Sequence, residues 1–551
     1  MPRRILPIFL LVALIAIGCA TPTGESVDVE KLEVQEDQSE SLANDLLAFS
    51  LAMRKADRNR FDDFWTETVE ATRLPKNDPA YEPLADRVEQ AVWAFDSELA
   101  NFSRDEYVTA MWSLVERYES LEDVRFKVKK VDFSEDGTHA KAKIKFFLVG
   151  KHEGQGREWI KGLAKLGAVK SGDDPWQIDH FELTEMISKV TEHEWFSEVS
   201  GPAGLGEKFP LFGQGANDGF VNHGAAVADV NADGLLDIAT TGVLHNFLYL
   251  NAGDGTFIDA SADSLLKFVP PGSGVVFLDY DNDGDSDLFM AAVGQQMLLQ
   301  NRFVPDGEVR FVDVSLEAGV AQNAIGFSPV VADINGDGWQ DIYVCSYNRY
   351  GTVMPDSWTG ATNGTPNLLL VNKGDGSYRS EAEAWGVADS RWSYAAQFID
   401  LDADGDQDLY VTNDFGENAF YRNDGDRFTD RSVEMGVVDP GFGMGVSFGD
   451  YDRDGDYDLH VTNMSSTAGK RILEVLYPVD HPMRMSLEKQ AEGNSLYAND
   501  GDGTFRNVSA EVGGLGGGWA FGGGFVDIDG DGWEDLHTPN GFVSGETMKD
   551  T

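Results

Sequence analysis

The stretch Asp279-Tyr280-Asp281-Asn282-Asp283-Gly284-Asp285-Ser286-Asp287 places carboxylates at its first, third, fifth and ninth positions and a glycine at its sixth. The same spacing recurs five times. It appears as Asp229, Asn231, Asp233, Gly234, Asp237; as Asp333, Asn335, Asp337, Gly338, Asp341; and as Asp400, Asp402, Asp404, Gly405, Asp408. The last two are Asp450, Asp452, Asp454, Gly455, Asp458 and Asp527, Asp529, Asp531, Gly532, Asp535. A tight loop can direct its first, third and fifth side chains inward, and calcium takes six to eight such hard oxygens at ~2.3–2.6 Å. Glycine at the sixth position tolerates the positive φ that the turn requires. A backbone carbonyl at the seventh explains why that side chain varies among Leu235, Asp285 and Trp339, and the ninth aspartate closes the site. Magnesium suits the spacing less well, because it demands octahedral geometry and keeps its waters. At the ligand positions two loops carry three formal negative charges and four carry four, 22 in all. Such carboxylates repel at short range unless cations sit among them. The expected cofactor is therefore Ca2+, at six sites.

Working outward, each loop is flanked by short apolar runs. Ala225-Ala226-Val227-Ala228, Val275-Val276-Phe277-Leu278 and Ala395-Ala396-Gln397-Phe398-Ile399 precede loops; Leu288-Phe289-Met290, Ile342-Tyr343-Val344 and Leu409-Tyr410-Val411 follow them. A third strand and glycine-rich turn come next, as in Leu248 to Phe257, Asn372 to Tyr378 and Asn499 to Phe505, then a fourth strand such as Phe311-Val312-Asp313-Val314. Four strands in each repeat of about 50 residues define a propeller blade. The expected fold is mainly β: a calcium-binding β-propeller of six or seven blades over 195–551, preceded by a small α+β domain. Trp195 to Ser200, with Ala203-Gly204-Leu205, matches a fourth strand and its exit, and is expected to complete the last blade. That blade's repeat stops soon after its second strand, at Asn540-Gly541-Phe542.

Over about residues 195–545 these repeats resemble the FG-GAP/VCBS repeats of integrin α-chain propellers and of the bacterial cartilage-acidic-protein-like family. The resemblance implies that each nine-residue loop joins the first two strands of a blade and binds calcium, with the aspartates and asparagines named above as ligands.

Ahead of the repeats, Arg3 and Arg4 precede an apolar run from Ile5 to Ile17. The run is shorter than the ~20 residues of a bilayer crossing and reads as a signal peptide over 1–19. Ala16-Ile17-Gly18-Cys19 resembles the bacterial lipobox, which implies lipidation at Cys19 and an extracytoplasmic, membrane-anchored lipoprotein of the outer membrane or cell surface. Residues 20–42 are polar and acidic and are expected to be a disordered tether. Residues 43–190 form the α+β domain. Leu84, Val88, Ala91, Val92, Phe95 and Leu99 have helical spacing, as do Tyr107, Met111, Leu114, Val115 and Tyr118. Strand alternation follows at Val124, Phe126, Val128 and at Ala140, Ala142, Ile144, Phe146, with a long last strand from Trp176 to Met186. Helices followed by an antiparallel sheet resemble the nuclear-transport-factor-like cone. His139, His152 and His180 have no acid at a telling spacing and are read as surface or satisfied histidines.

The chain of 551 residues carries 94 acidic against 43 basic side chains, a formal charge of −51, which repels phosphate backbones and excludes nucleic acid as partner. With only two cysteines, Cys19 and Cys345, no internal disulfide framework is available, and Cys345 reads as a small buried hydrophobe. The expected role is a non-enzymatic adhesion or protein-interaction scaffold at the cell surface, its partner an extracellular protein or glycan. The alternative is a carbohydrate-binding protein or polysaccharide lyase. No catalytic set supports that alternative, since His223, His245, His460 and His537 recur at strand positions that suit structural roles. Two insertions, 347–366 and 465–493, are expected on the face opposite the calcium loops. They carry Tyr347, Arg349, Tyr350 and Trp358, and Lys470, Arg471, His481, Arg484 and Lys489.

Overall fold

The computed structural model describes residues 29–75, 78–85, 87–152, 156–172, 174–191, 196–206, 224–348, 354–465, 481, 484–514 and 516–539. Contacts divide the chain into two units at Phe196 and Ser197.

In the first unit, the alternation of Ala140, Ala142, Ile144 and Phe146 with lysines forms a strand whose apolar side is buried. Its elements are α1 (Val29–Arg54), α2 (Arg58–Asp62), β1 (Trp65–Thr72), β2 (Glu82–Ala85), β3 (Val88–Val92), β4 (Leu99–Ser103), α3 (Arg104–Trp112), β5 (Ser120–Phe133), β6 (His139–Lys151), β7 (Arg157–Val169) and β8 (Gln177–Thr191). The sheet order is β2-β3-β8-β7-β6-β5, with β1 joining β8 in parallel and β4 pairing β1. Phe49, Phe61, Trp65, Tyr107, Phe126, Phe146 and Phe181 pack ring to ring in the core, Phe126 stacked on Phe146 at 5.0 Å.

Two expectations fail here. Residues 29–42 are not a tether: they begin α1, whose Leu42, Leu46, Phe49 and Met53 bury one stripe in the core. The Glu and Gln residues ahead of that stripe, at 30, 33, 35, 36, 38 and 40, are good helix formers, so a polar composition did not preclude a helix that continues into the core. Nor is 84–99 a helix. Val92 is 69% exposed, so the apparent stripe has no core to face, and β3 pairs antiparallel with β8 instead, Val88 opposite Thr191. Tertiary pairing overrides a chance periodicity. The second expected helix holds over α3, which opens on a Ser103–Glu106 capping box; Leu114, Val115 and Tyr118 follow in a buried turn. Strand β7 lay outside the sequence expectation.

The second unit is a succession of small antiparallel sheets. Sheet I contains β9 (Ala225–Ala228), β10 (Asp237–Thr240), β11 (Phe247–Asn251) and β12 (Phe257–Asp259); sheet II contains β13 (Val275–Leu278), β14 (Asp287–Met290), β16 (Met297–Asn301) and β17 (Phe311–Asp313). Sheet III runs β18 (Asn323–Ala332), β19 (Asp341–Ser346), β20 (Leu368–Asn372) and β21 (Tyr378–Ser380), with β15 (Val293–Gln295) added at its first edge. Sheet IV has β22 (Ser393–Ile399), β23 (Asp408–Asn413), β24 (Ala419–Asn423) and β25 (Phe428–Asp430). Sheet V has β26 (Gly443–Gly449), β27 (Asp458–Asn463), β28 (Ser495–Asn499) and β29 (Phe505–Asn507); sheet VI has β30 (Gly524–Val526) and β31 (Asp535–His537).

The first strand of each sheet lies against the first strand of the next. Side chains would hold these strands apart, and glycine lets them close: a Cβ on Gly445 would lie 2.6 Å from the Gly522 Cα. Apolar layers fill the spaces between successive sheets, for example Leu288, Met290 and Leu299 with Ala239 and Leu248 between sheets I and II. This is a propeller-like array. Cys345 lies fully buried in such a layer, as expected.

The expected closure by the stretch from Trp195 is not seen. Trp195 lies outside the described residues, 196–199 form no strand, and Phe196 is 62% exposed where its counterpart Phe311 is 2% exposed. The exit turn does repeat: Phe257 N–H donates to the Ala203 carbonyl (2.8 Å) as Tyr378 N–H donates to that of Ala318 (2.8 Å). Sheet VI has two strands among the described residues, and the third strand, against which the fourth pairs in sheets I to V, is not among them.

Candidate metal centres

All six acidic loops join the first and second strands of a sheet, and all are built alike. The first aspartate receives the sixth-position glycine N–H on Oδ2, at 2.8 Å in Gly234 to Asp229 and 3.0 Å in Gly284 to Asp279. The seventh-position N–H donates to the fifth carboxylate, as from Trp339 to Asp337 at 3.0 Å and from Asp406 to Asp404 at 2.9 Å. Glycine at position six has φ between 85° and 99° in every loop. Position four is left-handed too, including Ala232 (φ 56°), Ala403 (57°) and Arg453 (61°), which sequence analysis did not identify. Non-glycine residues hold that conformation only where the surroundings over-determine it.

The ninth aspartate begins the second strand and is pinned twice. Its Oδ2 accepts the second-position N–H, from Val230 to Asp237, Tyr280 to Asp287 and Ile334 to Asp341, each at 3.1 Å. Leu401 donates likewise to Asp408, Tyr451 to Asp458 and Ile528 to Asp535. In the first five loops Oδ1 accepts the backbone N–H of the asparagine that ends the third strand: Asn251, Asn301, Asn372, Asn423 or Asn499. These asparagines were missed, although one ends the third strand of every complete repeat. Burial pushes the ninth carboxyls up, Asp287 to about 8, Asp341 and Asp408 to about 7 and Asp458 to about 6, against the pull of these hydrogen bonds.

Ligand oxygens converge within 4.8 Å of one another in four loops: Asp279, Asp281 and Asp287; Asp400, Asp402 and Asp404; Asp450, Asp452 and Asp458; Asp527, Asp529 and Asp535. In the other two loops the third ligand is Asn231 or Asn335, whose amide oxygen accepts the N–H of Asp233 or Asp337. Asp229 and Asp333 hold the same turn, and Asp237 and Asp341 the same double pin. The remaining expected ligands, Asp283, Asp408, Asp454 and Asp531, occupy the same backbone positions as their counterparts. Asp281 Oδ1 and Asp400 Oδ1 are shielded from solvent and have no hydrogen-bond partner. Buried carboxylate oxygens without donors are costly unless a cation satisfies them. The donor set is all oxygen, which suits a hard divalent ion.

The histidines divide. His152 and His180, read as surface or satisfied histidines, are satisfied by acids: His152 has Nε2 2.8 Å from Glu158, and His180 has Nδ1 2.9 Å from Glu70. The β6–β7 hairpin and the parallel β1–β8 pairing bring these acids in from positions that no local spacing reveals. His460 is buried and its pKa is pushed down to about 4 by that burial; His245 meets the Asn246 carbonyl, and His537 is exposed. His223 and Cys19 lie outside the described residues.

The insertions sit at the far ends of the strands from the acidic loops. Ala361 N–H donates to the Phe415 carbonyl (2.8 Å) and Trp392 Nε1 to Asn363 Oδ1 (2.8 Å), both in links at that end. Gln490 donates to the Trp358 carbonyl, so the two insertions touch. Of the expected basic cluster, Arg484 pairs with Glu488 and Lys489 with Glu492; Arg349, Tyr350, Lys470 and Arg471 lie outside the described residues.

Fold and loops together define an array of repeated acidic loops, each carried between two strands of a small antiparallel sheet. Residues 229–290, 400–461 and 486–538 match the family described as FG-GAP-like repeat. Cartilage acidic protein 1 of Mus musculus is 25% identical over 223 residues, 37% of this chain and 34% of that protein, so the match spans about a third of the relative's length. An Agrocybe aegerita lectin that recognises non-reducing terminal N-acetylglucosamine is 14% identical, over 68% of this chain and 83% of its own, with a TM-score of 0.28. A putative scytalone dehydratase from Novosphingobium aromaticivorans is 10% identical over 30% of this chain and 99% of its own (TM-score 0.21). A putative dehydratase of the NTF2-like family from Streptomyces avermitilis is 13% identical over 27% and 97% (TM-score 0.19). At such TM-scores the fold rests on the strand order itself.

Proposed function

We propose that the second unit is a calcium-stiffened propeller that serves as an adhesion or protein-interaction scaffold outside the cytoplasm. The observation that carries this is the convergence of loop carboxylates within 4.8 Å, with donorless buried oxygens on Asp281 and Asp400. Bound Ca2+ would be held by the first, third, fifth and ninth side chains and would neutralise charge that the loops otherwise concentrate. The chain's own residues then fix the geometry: in the first five loops the ninth aspartate ties its loop to the second and third strands, so a rigid loop gives a rigid sheet.

The opposite face is the candidate contact surface. There half-buried Trp358 packs on half-buried Phe415 (5.3 Å), while Tyr347 stacks on the buried Phe327 (4.7 Å) and meets the buried Trp392 edge-on (5.0 Å), an aromatic support for that surface. Aromatic residues on a rigid scaffold are typical binding anchors. The partner is an extracellular protein or glycan. The full chain should capture a surface-protein or glycan partner in calcium and release it in chelator. Capture should also be lost when 354–365 and 484–493 are each replaced by a short turn. Capture indifferent to both changes overturns the scaffold reading.

The lipobox resemblance of Ala16-Ile17-Gly18-Cys19 supports the reading that a lipid on Cys19 anchors the protein to a membrane. Cys19→Ala should leave uncleaved precursor or soluble protein; processing and membrane fractionation identical to the parent would refute the anchor.

A further inference from the structure

The third-strand asparagines do more than pin their own sheets. Asn301 Nδ2 donates to the Val230 carbonyl of the preceding loop (3.0 Å), Asn372 to that of Tyr280 (2.9 Å) and Asn423 to that of Ile334 (2.8 Å). All three asparagines are almost fully buried. Each accepting carbonyl belongs to the second loop position, whose N–H pins the ninth aspartate of the same loop. A continuous path results: Asp237, Val230, Asn301, Asp287, Tyr280, Asn372, Asp341, Ile334, Asn423, Asp408. Loops two and three share two more bonds, from Asp279 N–H to Gln340 Oε1 (2.9 Å) and from Asn282 Nδ2 to the Gly338 carbonyl (3.1 Å). Asn499 is the contrast: its amide donates to the Tyr457 carbonyl of its own sheet (3.2 Å), and Asn251 likewise donates to that of Leu236 (3.1 Å).

We propose that Asn301, Asn372 and Asn423 couple the first four calcium loops, so that filling one loop raises the affinity of the next. The inference rests on the calcium reading above. Its physical basis is that a cation fixes the loop backbone, and the second-position peptide transmits that order to the neighbouring ninth aspartate. Two sites coupled through an ordered element share a reciprocal free energy. The fifth and sixth loops lie beyond the relay.

Terbium luminescence reads individual loops, because Trp339 and Trp533 occupy the seventh positions of loops three and six. Trp339→Phe and Trp533→Phe assign the two signals in the full chain. Asp283→Ala disables loop two; where that variant does not fold, Asp283→Asn replaces it. Terbium half-saturation at Trp339 should then rise about fivefold or more, with Trp533 unchanged. Asn372→Ala should at least halve that dependence, whereas Asn499→Ala, which loses the same local bonds, should not. An unchanged Trp339 titration, an equal rise at both loops, or equal effects of Asn372→Ala and Asn499→Ala overturns the relay. Absence of sensitised terbium at both tryptophans in the parent overturns the calcium reading itself.

Discussion

Chelating calcium from the full chain is expected to lower the thermal midpoint of the repeat unit by on the order of 10–20 °C. Extracellular-type calcium sites bind at roughly 0.1–1 mM. At ~1 mM calcium and the tighter value, each site contributes about RT ln 11, or ~1.4 kcal/mol. Six sites treated independently reach ~8 kcal/mol, comparable to the ~5–15 kcal/mol of a whole domain. A unit of this size shifts by roughly 2 °C per kcal/mol. The structure says where that energy enters. The loops concentrate 22 formal negative charges, and in the first five the ninth carboxylate is buried among the strands it joins. Calorimetry in calcium and in excess EDTA reads the effect. A superimposable transition, with metal verified absent, would refute it.

The second large effect belongs to the first unit. Glu158 is fully buried at an inward position of β7 and accepts hydrogen bonds from Tyr81 (2.6 Å), Ser188 (2.7 Å), Tyr118 (2.9 Å) and Arg117 (3.2 Å), with His152 at 2.8 Å. Burial alone would push its carboxyl up. The hydroxyl donors and the Arg117 charge outweigh that and hold it at about 2. A depressed carboxylate contributes stability that is present above its ordinary value of about 4.5 and is lost as pH falls from there through about 2. The shift corresponds to about 3 kcal/mol. Glu158→Gln strips the charge while Arg117 and three hydroxyls stay buried, which costs about 3–5 kcal/mol at neutral pH. Hydrogen exchange over 157–169 in the full chain should show the parent opening as pH drops from 5 to 2.5. The variant should already be open at pH 7, with a flattened acid dependence. Equal protection in both proteins at pH 7 would show that this network is not a keystone.

The acidic loops were legible because their chemistry is local. Nine residues contain all the ligands, and six copies make coincidence untenable. What the sequence could not show was the partner of each pin. Asn301 ends a third strand, and nothing in its neighbourhood announces that its amide reaches Val230, 71 residues earlier. Glu158 left a fainter trace. It alternates inward with Ile160, Gly162 and Ala164, so a charge at an apolar position of a strand could have been noticed. The stretch 84–99 misled because valine and leucine at helical intervals also fit short strands, and only the pairing of β3 with β2 and β8 decides between them. Closure of the array was overread from the match between 196–205 and a blade exit. The exit turn repeats faithfully, but 196–199 form no strand, and among the described residues sheet VI lacks the third strand with which a fourth would pair.

The calcium claim is tested most directly by counting bound ions. Equilibrium dialysis of the full chain against about 5 mM free calcium, several-fold above the weakest expected dissociation constant, should be followed by elemental analysis. Six calcium ions per chain are expected, one for each loop from Asp229 to Asp535. Two or fewer ions on a folded chain would contradict it.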